Sequence, residues 1–351
     1  MIDTPEYSKA AILVEQNKPL IVDYIKLPKV LSVGQILVEI KVSGICGSQI
    51  GEITGAKGPD KYLPHLMGHE GCGIVLEVGP GVTTVKKGDK VVLHWRKGDG
   101  LQAKNAVYEW NDQVLNAGWV TTFNTHAVIS ENRCTKISHD FDTDLASLFG
   151  CAITTGFGVV DNNAKIKLGE SVVVFGAGGV GLNIIQACKL NSAYPIIAVD
   201  LFDNRLDLAT KLGATHTINS NHEDPYVYIN KIIGENKLDV FIDNTGIPSI
   251  IESGYSLLNE FGRLVLVGVP RKGRNVNIFT LPLHFGKQII GSHGGESNPN
   301  SDIPRYSKLF ENNLVDFKLL VSKRTSLENI NQAINEMREG KTSGRILIDL
   351  K

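Results

Sequence analysis

The sequence lacks any excess of charge of one sign. Its 351 residues include 36 lysines and arginines against 37 aspartates and glutamates, which gives a formal net charge of -1. Such a balance offers no electrostatic reason to expect nucleic acid or an anionic membrane as a partner. We therefore predict a protein that binds neither.

Long apolar runs and a secretion signal are also missing. No apolar run approaches the roughly 20 residues that cross a bilayer. Residues 1–24 show no basic segment followed by an apolar stretch and a small-residue cleavage site. The five cysteines, an odd number in a long chain, do not resemble a disulfide framework. We expect a cytoplasmic protein whose cysteines are free thiols or metal ligands.

The chain is long enough for two domains, and its first half has the pattern of β structure. Residues 35–45 (QILVEIKVSGI) alternate apolar and more polar residues, as a half-buried strand does. Residues 73–95 (GIVLEVGPGVTTVKKGDKVVLHW) hold two further strand-like runs, separated by glycine and proline turns. The first half is therefore predicted to be a small β-barrel or sandwich.

After about residue 155, strand-like and helix-like segments alternate. The apolar run SVVVF (171–175) is typical of a strand buried on both faces, and IIAVD, THTI, LDVFID and RLVLVG continue the series. Between them lie predicted helices, one with Asp203 as its N-cap. Alternating strands and helices predict a doubly wound parallel sheet. Residues 345–350 (RILIDL) predict a last strand that returns to the first domain.

A nucleotide-binding pattern follows the first strand of this series. Gly176, Gly178 and Gly181 permit, in turn, a tight turn, close approach of a pyrophosphate, and close packing of helix on strand. Asp200 ends the next strand, where a carboxylate can bind the ribose hydroxyls and repel the 2′-phosphate of NADP. Arg205 weakens this preference because an arginine can bind the 2′-phosphate of NADP. We predict NAD, with NADP less favoured.

Cys46 in GICGSQ, His69 in LMGHEGCG and Cys151 in GCAITTG form a possible metal-ligand set. Two thiolates and one imidazole make a three-ligand zinc site that leaves a fourth position open for water or substrate. Zinc there lowers the pKa of a bound alcohol, and a hydride can pass to nicotinamide. From the spacing alone, an equally good interpretation is that these are three buried residues that bind no metal.

Together these segments resemble the zinc-containing medium-chain alcohol and polyol dehydrogenases. The resemblance runs nearly end to end, through CGS (46–48), GHEGCGIVLEVGPGVTTVKKGDKVV (68–92), GCAITTG (150–156), FGAGGVG (175–181), DIPRYSKLF (302–310) and GRILIDL (344–350). It implies an α/β protein with two domains. A GroES-like β-rich catalytic domain would span residues 1–154, completed by about 292–351, and a Rossmann domain would span residues 155–291.

The resemblance also implies roles for individual residues. Cys46, His69 and Cys151 would bind the catalytic zinc, Glu70 would lie beneath it, and Ser48 would take the proton of the alcohol. The cofactor would contact Thr155, Gly176, Gly178, Gly179, Val180, Gly181, Asp200, Arg205, Val267, Val269 and Arg345.

Three departures from the family pattern modify these expectations. Where the family commonly has an aspartate that holds the zinc histidine, this chain has Gln49, whose amide oxygen can still accept the bond as a weaker partner. Where many members have a relay histidine, this chain has Gly51. Where many bind a structural zinc through four cysteines, the corresponding residues 95–120 hold no cysteine. We expect one zinc per subunit and no structural zinc.

The sequence thus favours an NAD-linked zinc enzyme that oxidises an alcohol, with sugars, polyols and cyclitols among the candidate substrates. The polar segment 95–120 slightly favours a polyhydroxylated substrate, with Trp95 and Arg96 either lining its pocket or lying in an exposed loop. The alternatives are a zinc-free enone or quinone reductase of the same fold and a non-catalytic binding protein. By resemblance we also expect a homodimer or homotetramer.

Overall fold

The structure is a computed structural model and describes residues 5–234 and 238–350. None of the helices in these ranges is both long and apolar enough to cross a bilayer. The strands in the described ranges are β1 (Tyr7–Leu13), β2 (Ile21–Lys26), β3 (Gln35–Gly44), β4 (His65–Leu66), β5 (Glu70–Val78), β6 (Lys90–His94), β7 (Tyr108–Trp110), β8 (Gln113–Leu115), β9 (His126–Ser130), β10 (Cys134–Lys136), β11 (Val172–Phe175), β12 (Ile196–Asp200), β13 (His216–Asn219), β14 (Leu238–Asp243), β15 (Leu258–Leu266), β16 (Gln288–Gly291), β17 (Val321–Ser326) and β18 (Arg345–Asp349). The α-helices in the same ranges are α1 (Gly47–Ile53), α2 (Thr143–Leu148), α3 (Ala152–Gly158), α4 (Gly179–Leu190), α5 (Asp203–Leu212), α6 (Pro225–Ile233), α7 (Pro248–Leu257), α8 (Pro299–Glu311) and α9 (Ile330–Arg338).

Two sheets form the β-rich part of the molecule. One has the strand order β4-β1-β2-β7-β8, and the other has the order β10-β6-β5-β3-β18-β17, with β9 also paired to β3. Alternate residues of β3, among them Ile36, Val38 and Ile40, are fully buried in a core shared with β1 and β6. The last strand, β18, runs antiparallel to β3 with Leu347 opposite Gly44. This pairing confirms the predicted return of residues 345–350 to the first domain.

Residues 108–115 form a β-hairpin within the segment that holds no cysteine. Strands β7 and β8 are antiparallel, with Trp110 opposite Gln113. The two residues between them, Asn111 and Asp112, have φ values of 51° and 59°. Positive φ at both central positions is what a type I′ turn requires, and asparagine and aspartate adopt it more readily than other non-glycine residues.

The loop before this hairpin is organised by one buried carboxylate, that of Glu131. Its Oε1 accepts hydrogen bonds from the Thr83 and Thr84 amides, and its Oε2 accepts one from the Leu101 amide, all at 2.7 Å. Burial alone would raise the pKa of Glu131, but these hydrogen bonds hold it below its ordinary value. Glu131 therefore joins two loops at the position of the family's cysteine lobe.

The remaining sheet has six parallel strands in the order β13-β12-β11-β14-β15-β16. Along β11, Val172 and Val174 pack into one apolar core, and Val173 and Phe175 pack into another. Both faces of the sheet are therefore covered, as is usual for parallel sheets. Together, the three sheets confirm the predicted fold class, an α/β protein with a β-rich part and a doubly wound parallel sheet.

One local prediction in this sheet was wrong. Helix α5 begins at Asp203, so its N-cap is Phe202, which makes no side-chain capping bond. The Asp203 carboxylate instead accepts a hydrogen bond from the Asn219 side chain at 2.6 Å. Asp203 is thus the first residue of α5, and its side chain contacts Asn219 of β13 instead of capping the helix.

Candidate functional site

Three metal-ligand side chains meet in a cleft of about 1170 Å³. Cys46 follows β3 and caps α1, His69 lies just before β5, and Cys151 caps α3. The two Sγ atoms are 3.9 Å apart, and the ligand atoms of all three residues lie within 4.8 Å of one another. Two sulfurs and one imidazole nitrogen at this spacing fit a tetrahedral zinc site with one open position.

The charges around these ligands favour a thiolate at Cys46. A hydrogen bond from the Cys151 thiol and the nearby Arg345 guanidinium hold the pKa of Cys46 well below its ordinary value. The shared hydrogen bond and burial raise the pKa of Cys151 well above its own. Burial lowers the pKa of His69, but its hydrogen bond to Cys46 and the charge of that sulfur raise it overall. One thiolate, the form that binds metals, is therefore already favoured.

The other three cysteines lack such an environment. Cys72, Cys134 and Cys188 are buried free thiols. Burial raises the pKa of all three, that of Cys72 to about 12. They remain protonated at neutral pH and act as small apolar core residues.

A fully buried ion pair lies behind the metal ligands. Glu70 Oε1 is 2.8 Å from Arg345 Nε, and the two side chains are 0% and 4% exposed. Arg345 also donates to Cys46 Sγ at 3.3 Å, and Glu70 Oε2 accepts from the Ala152 amide at 3.1 Å. Burial raises the pKa of Glu70 although Arg345 opposes it. Gly44 leaves room for the pair, because a Cβ there would lie 2.5 Å from Glu70 Oε1.

Ser48 and Gln49 occupy the first turn of α1. Ser48 Oγ lines the cleft, 3.5 Å from His69 Nε2. The Gln49 oxygen accepts a hydrogen bond from the Cys46 amide at 2.8 Å. The expectation that this oxygen holds His69 was therefore wrong. Glutamine is longer than aspartate by one methylene, and its side chain reaches back to the helix N-terminus as in a capping box.

The glycine-rich loop at the end of β11 opens into α4 and lines the same cleft. Gly176 has a φ of 94°, and a Cβ on Gly181 would lie 2.0 Å from the Gly176 carbonyl oxygen. A Cβ on Gly179 would lie 2.2 Å from Arg345 Nη1. A Cβ on Gly178 would meet nothing within 4 Å. That free space suits a pyrophosphate at the N-terminus of α4.

The other predicted cofactor residues line this cleft as well. Asp200 Oδ2 accepts a hydrogen bond from the Ala177 amide at 2.8 Å, and its Oδ1 lies 3.6 Å from Arg205, which stacks on the Phe202 ring. The Thr155 hydroxyl is buried, and within the described residues it has no hydrogen-bond partner. A dinucleotide could satisfy this group. Besides the glycines, the predicted cofactor residues that line the cleft are Thr155, Val180, Asp200, Arg205, Val267, Val269 and Arg345.

One residue of the cleft, His293, was not predicted from the sequence. Its ring contacts Trp95 edge to face, with centroids 4.9 Å apart, and both rings line the cleft. Arg96 Nη1 lies 2.6 Å from His293 Nδ1. A guanidinium can only donate, so Nδ1 accepts and the proton of the neutral ring is on Nε2. His293 belongs to no motif and is 197 residues from Arg96, so no local pattern could reveal it.

Comparisons with known proteins agree with this geometry. Residues 32–139 match the family model of the alcohol dehydrogenase GroES-like domain, and residues 179–312 match that of the zinc-binding dehydrogenase. The chain is 29% identical to the class-3 alcohol dehydrogenase of Cereibacter sphaeroides, over 97% of this chain and 99% of that protein. It is 31% identical to the S-(hydroxymethyl)glutathione dehydrogenase of a Synechocystis species, over 95% and 98%. The benzyl alcohol dehydrogenase structure from Acinetobacter calcoaceticus has a TM-score of 0.88 at 29% identity, over 99% of this chain and 100% of that one.

Proposed function

The chain belongs to the zinc-containing medium-chain alcohol dehydrogenase family and is an NAD(P)-dependent alcohol dehydrogenase, and we propose that it transfers a hydride from an alcohol to NAD beside a single zinc ion. One observation carries the proposal: the same cleft holds the Cys46, His69 and Cys151 set and the glycine-rich loop. Metal ligands and a dinucleotide loop in one cleft would bring an alcohol next to a nicotinamide.

Cys46, His69 and Cys151 would hold the zinc. When bound, zinc supplies a Lewis acid for the substrate oxygen, and NAD supplies the hydride acceptor. Arg345 donates to the Cys46 sulfur and favours its thiolate form, and Glu70 holds Arg345 through the buried ion pair. The lack of cysteine in residues 95–120 supports one zinc per subunit.

Ser48 would take the proton of the alcohol. Its Oγ lies 3.5 Å from His69 Nε2, so a substrate hydroxyl beside His69 comes within hydrogen-bond reach of it. A serine hydroxyl can accept one proton while it donates its own. Asp200 supports NAD over NADP, because its carboxylate at the end of β12 would repel a 2′-phosphate.

The proposed substrate is a polyhydroxylated alcohol, such as a sugar, polyol or cyclitol. Relatives of this chain are named for S-(hydroxymethyl)glutathione and benzyl alcohol, so the family accepts varied alcohols. In this chain the Trp95 ring offers an apolar wall, and His293 Nε2–H offers a donor to a second substrate oxygen. A hydrocarbon alcohol would make no use of that donor.

Elemental analysis of the purified protein tests the metal assignment. We expect about one zinc per subunit in the wild type. Cys151→Ala should lose zinc and alcohol oxidation and still bind NADH, as followed by fluorescence. Cys188→Ala, a buried thiol on α4, is the control and should keep its zinc. An active, zinc-free Cys151→Ala, or wild type purified without chelator and free of zinc, would refute the assignment.

Replacement of His293 tests the substrate class. His293→Phe keeps an aromatic contact with Trp95 but removes the donor. A lost hydrogen bond of about 1.4 kcal/mol predicts a roughly tenfold fall in kcat/KM for a polyol, with little change for benzyl alcohol. Equal losses on both substrates would contradict the polyol assignment and leave the zinc chemistry intact.

A further inference from the structure

Alcohol oxidation releases one proton besides the hydride, and this chain lacks the usual exit for that proton. Many family members carry a relay histidine at the position of Gly51, which has no side chain to move a proton. If the proposed function holds, the proton that reaches Ser48 needs another acceptor between the cleft and solvent.

Glu52, Asp60 and His65 form a cluster next to this position. His65 Nε2 lies 3.0 Å from Asp60 Oδ2 and 3.8 Å from Glu52 Oε1. In the described part of the chain, two groups of three His, Cys, Asp or Glu side chains have their potential metal-ligand atoms within 4.8 Å of one another. The metal-ligand set is the first group, and this cluster is the second. The side chains of His65, Asp60 and Glu52 are 9%, 15% and 43% exposed. The cluster therefore runs from the interior to solvent.

Both ring nitrogens of His65 have oxygen partners. Its Nδ1 lies 2.9 Å from the Leu66 carbonyl oxygen, and its Nε2 lies 3.0 Å from Asp60 Oδ2. Glu52 Oε1 lies farther from Nε2, at 3.8 Å, which is beyond hydrogen-bond distance. Glu52 is also the most exposed of the three side chains and lines the cleft, so its carboxylate is open to water there.

Helix α1 connects the cluster to Ser48. Ser48 and Glu52 are four residues apart in α1, so their side chains are neighbours on one face of the helix. Both residues line the cleft, and so does Asp60. The same helix begins at the metal ligand Cys46. The carboxylate is thus held one turn from the hydroxyl that faces the substrate.

We propose that Glu52 accepts the proton of the alcohol in place of the missing relay histidine. The O–H bond of the alcohol breaks as its proton passes to Ser48 Oγ. The proton of Ser48 then passes through water to a Glu52 carboxylate oxygen, and Glu52 releases it to bulk water. One proton leaves for each hydride transferred, and no electron moves along this path.

Glu52→Gln in the zinc- and NAD-loaded enzyme tests the proposal, with Glu77→Gln, an exposed glutamate on β5, as the matched control. We expect kcat for alcohol oxidation by Glu52→Gln to fall about tenfold near pH 7 and to rise with pH, as hydroxide takes over. Added imidazole buffer should restore it, because a small base can replace the lost carboxylate. Glu52→Asp should keep most of the rate.

Other outcomes would overturn the proposal. A Glu52→Gln enzyme with the wild-type pH profile and no response to buffer leaves the relay without support. Loss of zinc or NADH binding in this variant would mean that the cluster is structural. A wild type that oxidises no alcohol at all would refute the proposed function, and the relay with it.

A second readout is independent of turnover. Elemental analysis should give the same zinc content for the wild type and Glu52→Gln, about one ion per subunit. Two zinc ions per subunit in the wild type and one in Glu52→Gln would assign the cluster to a metal instead.

Discussion

Among single residues, buried carboxylates fix most of the site and its surroundings. Glu70 balances Arg345 behind the metal ligands, and Asp200 closes the glycine-rich loop through the Ala177 amide. Glu131 joins two loops through three backbone amides. Each carboxylate has protein donors in fixed positions where an exposed carboxylate would have water. The hydrogen bonds from these donors offset the free-energy cost of burying the charge.

Replacement of Glu131 should destabilise the fold in a pH-dependent way. An amide at this position cannot accept from all three backbone donors, so Glu131→Gln should cost about 2 kcal/mol at neutral pH. The pKa of Glu131 is lowered in the folded state. The stability it contributes is therefore present above the unfolded pKa of about 4.3 and is lost as the pH falls through the folded pKa.

Urea unfolding of wild type and Glu131→Gln at about pH 7 and about pH 4 measures this effect. The difference between the two midpoints should shrink at the lower pH. Glu77→Gln, on the exposed side of β5, should show no difference at either pH. A difference that stays constant would mean that the Glu131 carboxylate is not the source of the stability.

Among the elements, the turn from β11 into α4 depends on two glycines for different reasons. A Cβ on Gly181 would lie 2.0 Å from the Gly176 carbonyl oxygen, whereas a Cβ on Gly178 meets nothing within 4 Å. Gly178 has a φ of -74°, which alanine adopts without strain. One glycine therefore serves packing, and the other keeps space for a ligand.

Two alanine variants should separate these roles. Gly181→Ala should lower the melting temperature and abolish NADH binding, because the turn must open. Gly178→Ala should keep the wild-type melting temperature and weaken NADH binding by about tenfold or more, because its methyl group fills the pyrophosphate space. Thermal melting and NADH fluorescence titration measure both. Equal melting losses in the two variants would refute the division.

The elements also show how far a sequence can predict this molecule. The run Val172–Phe175 and the glycines after it are local patterns, and the structure has a strand, a turn and a helix there. Cys46 and Cys151 are 105 residues apart, so their contact became an expectation only through family resemblance. Neither source suggested the contacts of His65 or His293, because those depend on loops whose paths are set by packing. The same holds for Gln49, whose partner was predicted wrongly.

At the scale of the whole molecule, three phenylalanines are exposed in the part of the chain that leads to the edge of the parallel sheet. Phe261, Phe279 and Phe285 are 69%, 71% and 68% exposed. Phe261 lies in β15, the neighbour of the edge strand β16, and Phe285 lies three residues before β16. Exposed aromatic residues and open sheet edges are typical of interfaces. These residues support the expected homo-oligomer, in which a second copy of the chain would cover them.

Phe285→Asp should therefore shift the protein to smaller assemblies, because a charge would be buried at the contact. Val30→Asp, at another exposed apolar position, is the control. Light scattering coupled to size-exclusion chromatography measures the mass of each variant. A wild type that is monomeric at working concentration, or a Phe285→Asp variant with unchanged mass, would contradict this assignment.

Strand β18 has a consequence for how the enzyme is made. Arg345, its first residue, contacts Cys46 and Glu70 and lies against Gly179. A ribosome adds Arg345 long after these residues have left the exit tunnel. Until then, Glu70 lacks its balancing cation, and β3 lacks β18, one of its neighbours in the sheet. Arg345 therefore joins the metal ligands and the glycine-rich loop through one late residue, and a chain whose synthesis stops before Arg345 lacks its contacts at both sites.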